Sequence, residues 1–278
     1  MPDLARDIER PADPVLVQVG LLGGHAILAD RAEEPLWLVL RGLPVSVCAD
    51  GANGLTRGTA ARARELGLHI EPARSSVPLA AYHPSDRGPR GGWLPAGRKP
   101  LGLDAPENGL GRDGRPVGWL TTRDAPAGYI QPEGAPAPGY YVSTTALFDG
   151  VRREHDPRRY FDSAALPGFV LPGRDLDPYR VQLGDLALVQ WGPYKIWAQA
   201  FDIGPAGRML ELSVQACHAL GIPDCARSGG VPSGVDITIL PGSRRWFGRP
   251  PRPESLDEIN RVGIAAARAV GLQTGPMK

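Results

Sequence analysis

Two acids, Asp202 and Glu211, stand nine positions apart in the segment Ala200-Phe201-Asp202-Ile203-Gly204-Pro205-Ala206-Gly207-Arg208-Met209-Leu210-Glu211-Leu212-Ser213. An apolar run, Ile196 to Phe201, delivers Asp202 into a Gly-Pro-Ala-Gly turn, and Glu211 emerges where a helix is expected to begin. A strand, a tight turn and a helix start can bring both carboxyls to one cleft wall. A carboxyl pair a few ångströms apart is the minimum equipment for cleaving a glycosidic bond. Residue types alone leave a plainer reading open. An Asp at such a turn bonds nearby backbone N–H groups, and a Glu at a helix start complements the helix dipole. An aspartic-protease dyad would need a second Asp-[Ser/Thr]-Gly, which the chain lacks.

The elements that must position this pair are short. The 278 residues include 36 glycines and 30 prolines, more than a fifth of the chain, a composition of strands and ordered loops rather than a helical bundle. Strands are expected at Val15–Val19, Ile27–Leu28, Tyr140–Ala146, Phe169–Leu171, Leu186–Gln190, Ile196–Phe201 and Val235–Leu240. A hairpin through Arg41-Gly42-Leu43 is expected to join Leu36–Leu40 to Pro44–Cys48. Thr59 can cap a short helix over Ala60–Leu66, and residues 85–139 form a loop-rich region. Helices are expected over Leu212–Leu220, ended by Gly221, and over Leu256–Val270, opened by the capping box Ser255 to Glu258. Several short strands with two outer helices imply an α+β fold, mainly β: a small, partly closed β-barrel with a loop-rich N-terminal region.

A net charge of +1 gives no global field for nucleic acid, and Arg244, Arg245 and Arg249 are expected as a solvated basic face. The N-terminus lacks a basic then apolar export pattern, and no apolar stretch reaches membrane-span length. Localisation is therefore left unassigned. Cys48, Cys217 and Cys225 show no C-x-x-C spacing, so no metal site or cofactor is expected. Cys217 and Cys225 either bridge across the Gly221-Ile222-Pro223 turn or remain thiols.

From Gly139 onward the sequence resembles the family 75 glycoside hydrolases, the fungal-type chitosanases and their bacterial relatives. The blocks that carry the resemblance are Gly139-Tyr140-Tyr141-Val142-Ser143-Thr144-Thr145-Ala146-Leu147, Asp156 to Ser163, Pro167 to Pro172, Leu183 to Ala187, the Asp202/Glu211 segment, Gly230 to Val235 and Leu240 to Ser243. They span roughly residues 138–272 in family order. Upstream, Asp50-Gly51-Ala52 and Ala81-Tyr82-His83-Pro84 resemble a family pattern with residues 53–80 inserted. The resemblance implies an N-terminal extension or lobe over 1–80 and a hydrolase domain over 81–278. It implies Asp202 and Glu211 as the catalytic pair, and a chitosan-type β-1,4-linked amino sugar polymer as substrate for a metal-independent, monomeric enzyme. One departure stands out: the family commonly has Gly-Glu-Gly-Ser where this chain has Leu210-Glu211-Leu212-Ser213.

More distantly, the segment resembles the double-psi β-barrels of expansins, family 45 endoglucanases and barrel-type lytic transglycosylases. That likeness implies Glu211 as general acid and Asp202 as general base, and admits a peptidoglycan-active enzyme or a non-catalytic carbohydrate-binding module as alternatives. Leu210 and Leu212 are expected to surround Glu211 with apolar groups and raise its pKa, while turn N–H groups stabilise ionised Asp202. Tyr141, Ser143 and Thr145 share a strand face that can meet sugar hydroxyls or make cross-strand pairs. Asp162 and Asp185 are either cleft acids or partners for Arg158, Arg159 or Arg180. Tyr82 and His83 either line the cleft or serve structure. Trp93, Trp119, Trp191 and Trp197 are stacking platforms or core residues.

Overall fold

The computed structural model describes residues 15–53, 118–125, 128–136, 142–207, 210–224 and 229–274. Among them, β1 (Val17–Leu22) and β2 (His25–Ala29) form a hairpin through Gly23 and Gly24, whose positive φ values suit a two-residue turn. There follow β3 (Leu38–Cys48), β4 (Gly168–Pro172), β5 (Leu186–Trp191), β6 (Tyr194–Gly204), β7 (Leu210–Ser213) and β8 (Val231–Leu240). Helix α1 (Val214–Leu220) lies between β7 and β8, and α2 (Leu256–Ala269) follows β8. The strand order β3-β7-β4-β6-β5-β8 closes on itself because β8 also pairs with β3, giving a six-stranded barrel with the β1–β2 hairpin attached to β3. The barrel thus draws its third and longest upstream strand from the segment expected as an N-terminal lobe.

Period-two alternation builds the interior. Val45 and Val47 of β3, Leu210 and Leu212 of β7, and Val235, Ile237 and Ile239 of β8 belong to one core cluster, together with Phe169, Leu171, Ala198 and Ala200. Each Val, Leu, Ile or Phe among them contributes about 1.5–3 kcal/mol on burial. Helix α1 closes this core with Val214, Ala216, Cys217 and Leu220. A second cluster lies outside the barrel, where Leu186, Leu188 and Trp197 meet Ile259, Val262 and Ala266 of α2. Gln199 holds the approach to α2, donating to Arg252 O (3.1 Å) and accepting from Glu254 N (3.1 Å).

Three expected elements differ. No hairpin forms at Arg41-Gly42-Leu43, because Leu38–Cys48 is one strand pairing with β8 on both sides of the irregularity. Gly42 takes φ 68° and donates to Asp236 Oδ1 (2.9 Å), so its freedom makes a bulge, not a reversal. The helix expected from Leu212 begins at Val214, because Leu212 and Ser213 extend β7 beside β3. Glu211 therefore lies in a strand rather than at a helix start. Of the strand expected over Tyr140–Ala146, the described part makes an isolated bridge, Ser143 to Trp119. Both helix caps agree with expectation: Gly221 ends α1 with φ 73°, and Ser255 accepts from Glu258 N at the start of α2. Tyr82, His83, Trp93, Tyr141, Cys225 and the Ala60–Leu66 helix lie outside the described residues.

Gly263 is where α2 meets the barrel, and a Cβ there would sit 2.3 Å from Trp197 Cδ2. Helix propensity favours Ala over Gly by about 1 kcal/mol, whereas overpacking costs about 1–3 kcal/mol. With the overlap falling on a fully buried ring, packing wins. Gly263→Ala should lower the midpoint of thermal unfolding; an unchanged or raised midpoint would show that α2 can lift off Trp197.

Candidate active site on the barrel's outer face

The alternation that sends Leu210 and Leu212 inward turns Glu211 outward. The flanking leucines therefore face away from its carboxyl and do not supply its surroundings, which corrects the expectation drawn from their adjacency. Glu211 is nonetheless only 5 % exposed. In the parallel β3–β7 register it stands beside Ser46, with Cys48 beside Ser213.

Strand β4 links the two acids. Its Phe169 opposes Leu212 of antiparallel β7, so the next position, Val170, faces Glu211. On its other side Val170 pairs with Asp202 of parallel β6. Asp202, Val170 and Glu211 thus form one rung across three neighbouring strands. The register shifts between Phe169/Ala200 and Val170/Asp202, leaving Phe201 as the extra residue of a bulge. That shift lets Phe201 stack on Phe161 (centroids 4.5 Å apart) while Asp202 joins the rung. Phe161, Phe201, Val170, Cys48 and Leu147 form the apolar floor under the rung. Gly204, two residues beyond Asp202, keeps the space open: a Cβ there would lie 3.2 Å from Val170 Cγ1 and 4.0 Å from Glu211 Oε2.

Asp202 is half-buried, and its Oδ1 accepts from Ala146 N (3.1 Å) and Ile203 N (2.8 Å). Asp50, just beyond the end of β3, joins it. Cys48 Sγ and carboxylate oxygens of Asp50 and Asp202 all lie within 4.8 Å of one another. One thiolate and two carboxylates are a donor set able to hold a divalent ion. Sequence reasoning places Asp50 in a turn and outside the site. Its signal is an acid directly after an apolar strand and before glycine, but only the closed barrel shows that the end of β3 meets the end of β6.

The loop carrying Asp50 is locked in place. Gly51 has φ 81°, and a Cβ there would meet Phe161 O at 1.9 Å. Its N–H donates to Ser143 Oγ (2.9 Å), whose hydroxyl donates to Gly118 O (3.0 Å). Asn53 completes the lock, donating to Ser143 O (2.9 Å) and accepting from Ser143 N (2.7 Å). Thr145 Oγ1 donates to Leu147 O (2.6 Å) and accepts from Phe161 N (3.0 Å). The hydroxyls of Ser143 and Thr145 are thus committed to backbone, close to the site but building it.

Of the other expected residues, Asp162 is buried and accepts from Ala164 N (3.1 Å). Asp185 is sealed from solvent, with Oδ2 accepting from Gln182 N (2.9 Å) and Gly242 N (3.0 Å) and Oδ1 from Arg244 N (3.1 Å). Burial pushes its carboxyl above the usual range, with these N–H groups pulling the other way. It anchors the turns at Gln182 and at Gly242. Arg180 pairs with Glu34 instead of Asp185. Trp197 and Trp119 are buried, and Trp191 covers Gly234. Cys217 is a buried free thiol whose pKa burial drives up.

No family model matches the chain, and no curated protein matches its sequence.

Removing the Ser143 hydroxyl leaves the buried Gly51 N–H without its acceptor, a loss of about 1–3 kcal/mol. Ser143→Ala should lower the midpoint of thermal unfolding. An unchanged midpoint would show that the Ser143 hydroxyl does not hold the loop that carries Asp50.

Proposed function

We propose that the protein is a glycoside hydrolase acting on β-1,4 linkages of a chitosan-type amino sugar polymer, with Glu211 as general acid and Asp202 as general base. The observation that carries this reading is the shared rung. Backbones two strands apart are about 10 Å apart. Carboxyls rising from that spacing on one face suit the roughly 6.5–9.5 Å gap that admits a water in inverting glycosidases.

In the proposed step, Glu211 gives its proton to the glycosidic oxygen as the bond to the anomeric carbon breaks. Asp202 takes a proton from the water that attacks the opposite face. Unequal environments favour these roles. Glu211 is the more deeply enclosed, and enclosure disfavours charge, whereas backbone N–H groups donating to Asp202 Oδ1 favour its ionised form. Asp50, beside Asp202, helps hold the attacking water. The closed barrel, with β3 parallel to β7 and β4 parallel to β6 across the antiparallel β4–β7 contact, supports the double-psi reading. The family 75 resemblance of residues 138–272 is a separate support for the same reading.

The first test is reducing-end release from chitosan by wild type and Glu211→Gln. General acid catalysis is worth about 10²–10⁴-fold, so kcat should fall by that factor with the fold intact. An unaltered rate in the variant would remove Glu211 from the mechanism, and muropeptide release in place of chitosan cleavage would move the substrate to the bacterial wall. Nuclear magnetic resonance should show the α-anomer as first product from the β-linked polymer. Dialysis against EDTA should leave the rate unchanged; its loss, restored by a divalent ion, would instead assign Cys48, Asp50 and Asp202 to a metal centre.

A further inference from the structure

A cavity whose lining includes neither acid of the rung opens near the start of β3. It is a cleft of about 730 Å³ walled by the turn before β3, the turn around Arg180 and the turn after β8. Leu36 and Leu240 border it, so it sits where β3 begins, whereas Cys48 and Asp50 sit where β3 ends.

Three features make this cleft a built site. Glu34 (φ 47°) and Arg180 (φ 62°) are, among the described residues, the non-glycine positions with positive φ, a conformation such residues seldom adopt. They pair with each other at the cleft (2.9 Å) with side chains 75 % exposed. An ion pair this solvated adds little to the fold, and off-region backbone gathers where ligands are held.

Next, Trp246 is 52 % exposed and offers an aromatic face to the cleft. Arg245 stands beside it, its Nε donating to Gly242 O (3.2 Å), with no carboxylate partner among the described residues. Finally, the turn that presents both is pinned from beneath. Asp185 accepts from Gly242 N and Arg244 N, and Ser243 Oγ accepts from Leu186 N (2.7 Å). A rigid support under exposed groups is what a binding site requires.

We propose that this cleft is a second glycan-binding site, distinct from the Asp202/Glu211 rung, that takes a sugar bearing a carboxylate. The apolar face of the ring stacks on Trp246, Arg245 binds the carboxylate through its planar fork, and the Glu34–Arg180 pair bonds ring hydroxyls. The inference makes no use of Asp202 or Glu211, so it stands apart from the proposed hydrolysis.

Calorimetric titration of the full chain with tetragalacturonate, cellotetraose and the glucosamine tetramer tests it. The acidic tetramer should bind in preference to the other two. Trp246→Ala and Arg245→Gln should each weaken that binding at least about tenfold, a factor that corresponds to 1.4 kcal/mol, without shifting the unfolding midpoint. Glu211→Gln should leave it unchanged. Absence of binding, equal binding of the neutral or cationic tetramer, indifference to both cleft substitutions, or loss of binding in Glu211→Gln would each overturn the proposal. Failure of chitosan hydrolysis leaves these outcomes untouched, so the two readings fail separately.

Discussion

Strand β3 pairs with β2, β7 and β8, and through that one strand the sheet becomes a barrel. Closure removes the open edges of the sheet and gives each inward side chain of β3, β7 and β8 a common interior. It also places the acids. The parallel β3–β7 register carries Asp50 and Cys48 to the region where the bulge in β6 delivers Asp202. Without the β3–β7 pairing, the first acid would sit on a free strand end, unrelated to the other two. Gly42 lets β3 do this: its bulge bends the strand so that Leu38–Leu40 and Leu43–Val45 both follow β8.

Much of this was legible in the sequence because local signals report local structure. The apolar runs around Phe169, Leu188, Ile196 and Ile237 are strands, Ser255 and Gly221 cap helices, and the carboxyl pair stands out by spacing. What was not legible depended on partners. A glycine between two apolar runs signals a hairpin turn or a bulge, and only the common neighbour β8 decides for the bulge at Gly42. Leu212 and Ser213 have residue types compatible with a helix start, but pairing of Val47 with Leu212 and Cys48 with Ser213 holds them extended. The error about the surroundings of Glu211 has the same origin. Adjacency in a helix and adjacency in a strand place neighbours on different faces, so mistaking the element assigned the wrong neighbours to a carboxyl that is buried all the same.

The small polar residues near the site show how nearness to chemistry differs from participation in it. Ser143 and Thr145 were natural candidates for sugar contacts, and the fold does bring them to the rung. Their hydroxyls nonetheless meet Gly51 N, Gly118 O, Leu147 O and Phe161 N. A buried N–H without an acceptor costs more than one additional sugar contact yields, so the loop that must present Asp50 takes these hydroxyls first.

The same competition sorts the acids. Asp185 has both oxygens filled by backbone N–H groups and is closed to solvent, so it organises turns. Asp202 also accepts two backbone N–H groups, but it stays only half-buried above an apolar floor. The backbone bonds hold its orientation without enclosing it, the combination a group needs if it is to meet an external molecule in a defined pose. Gly204 completes the arrangement by leaving empty the volume a side chain would occupy between Val170 and Glu211. Orientation and access are thus set by different residues: the turn after β6 aims Asp202, and a missing side chain keeps the approach to Glu211 clear.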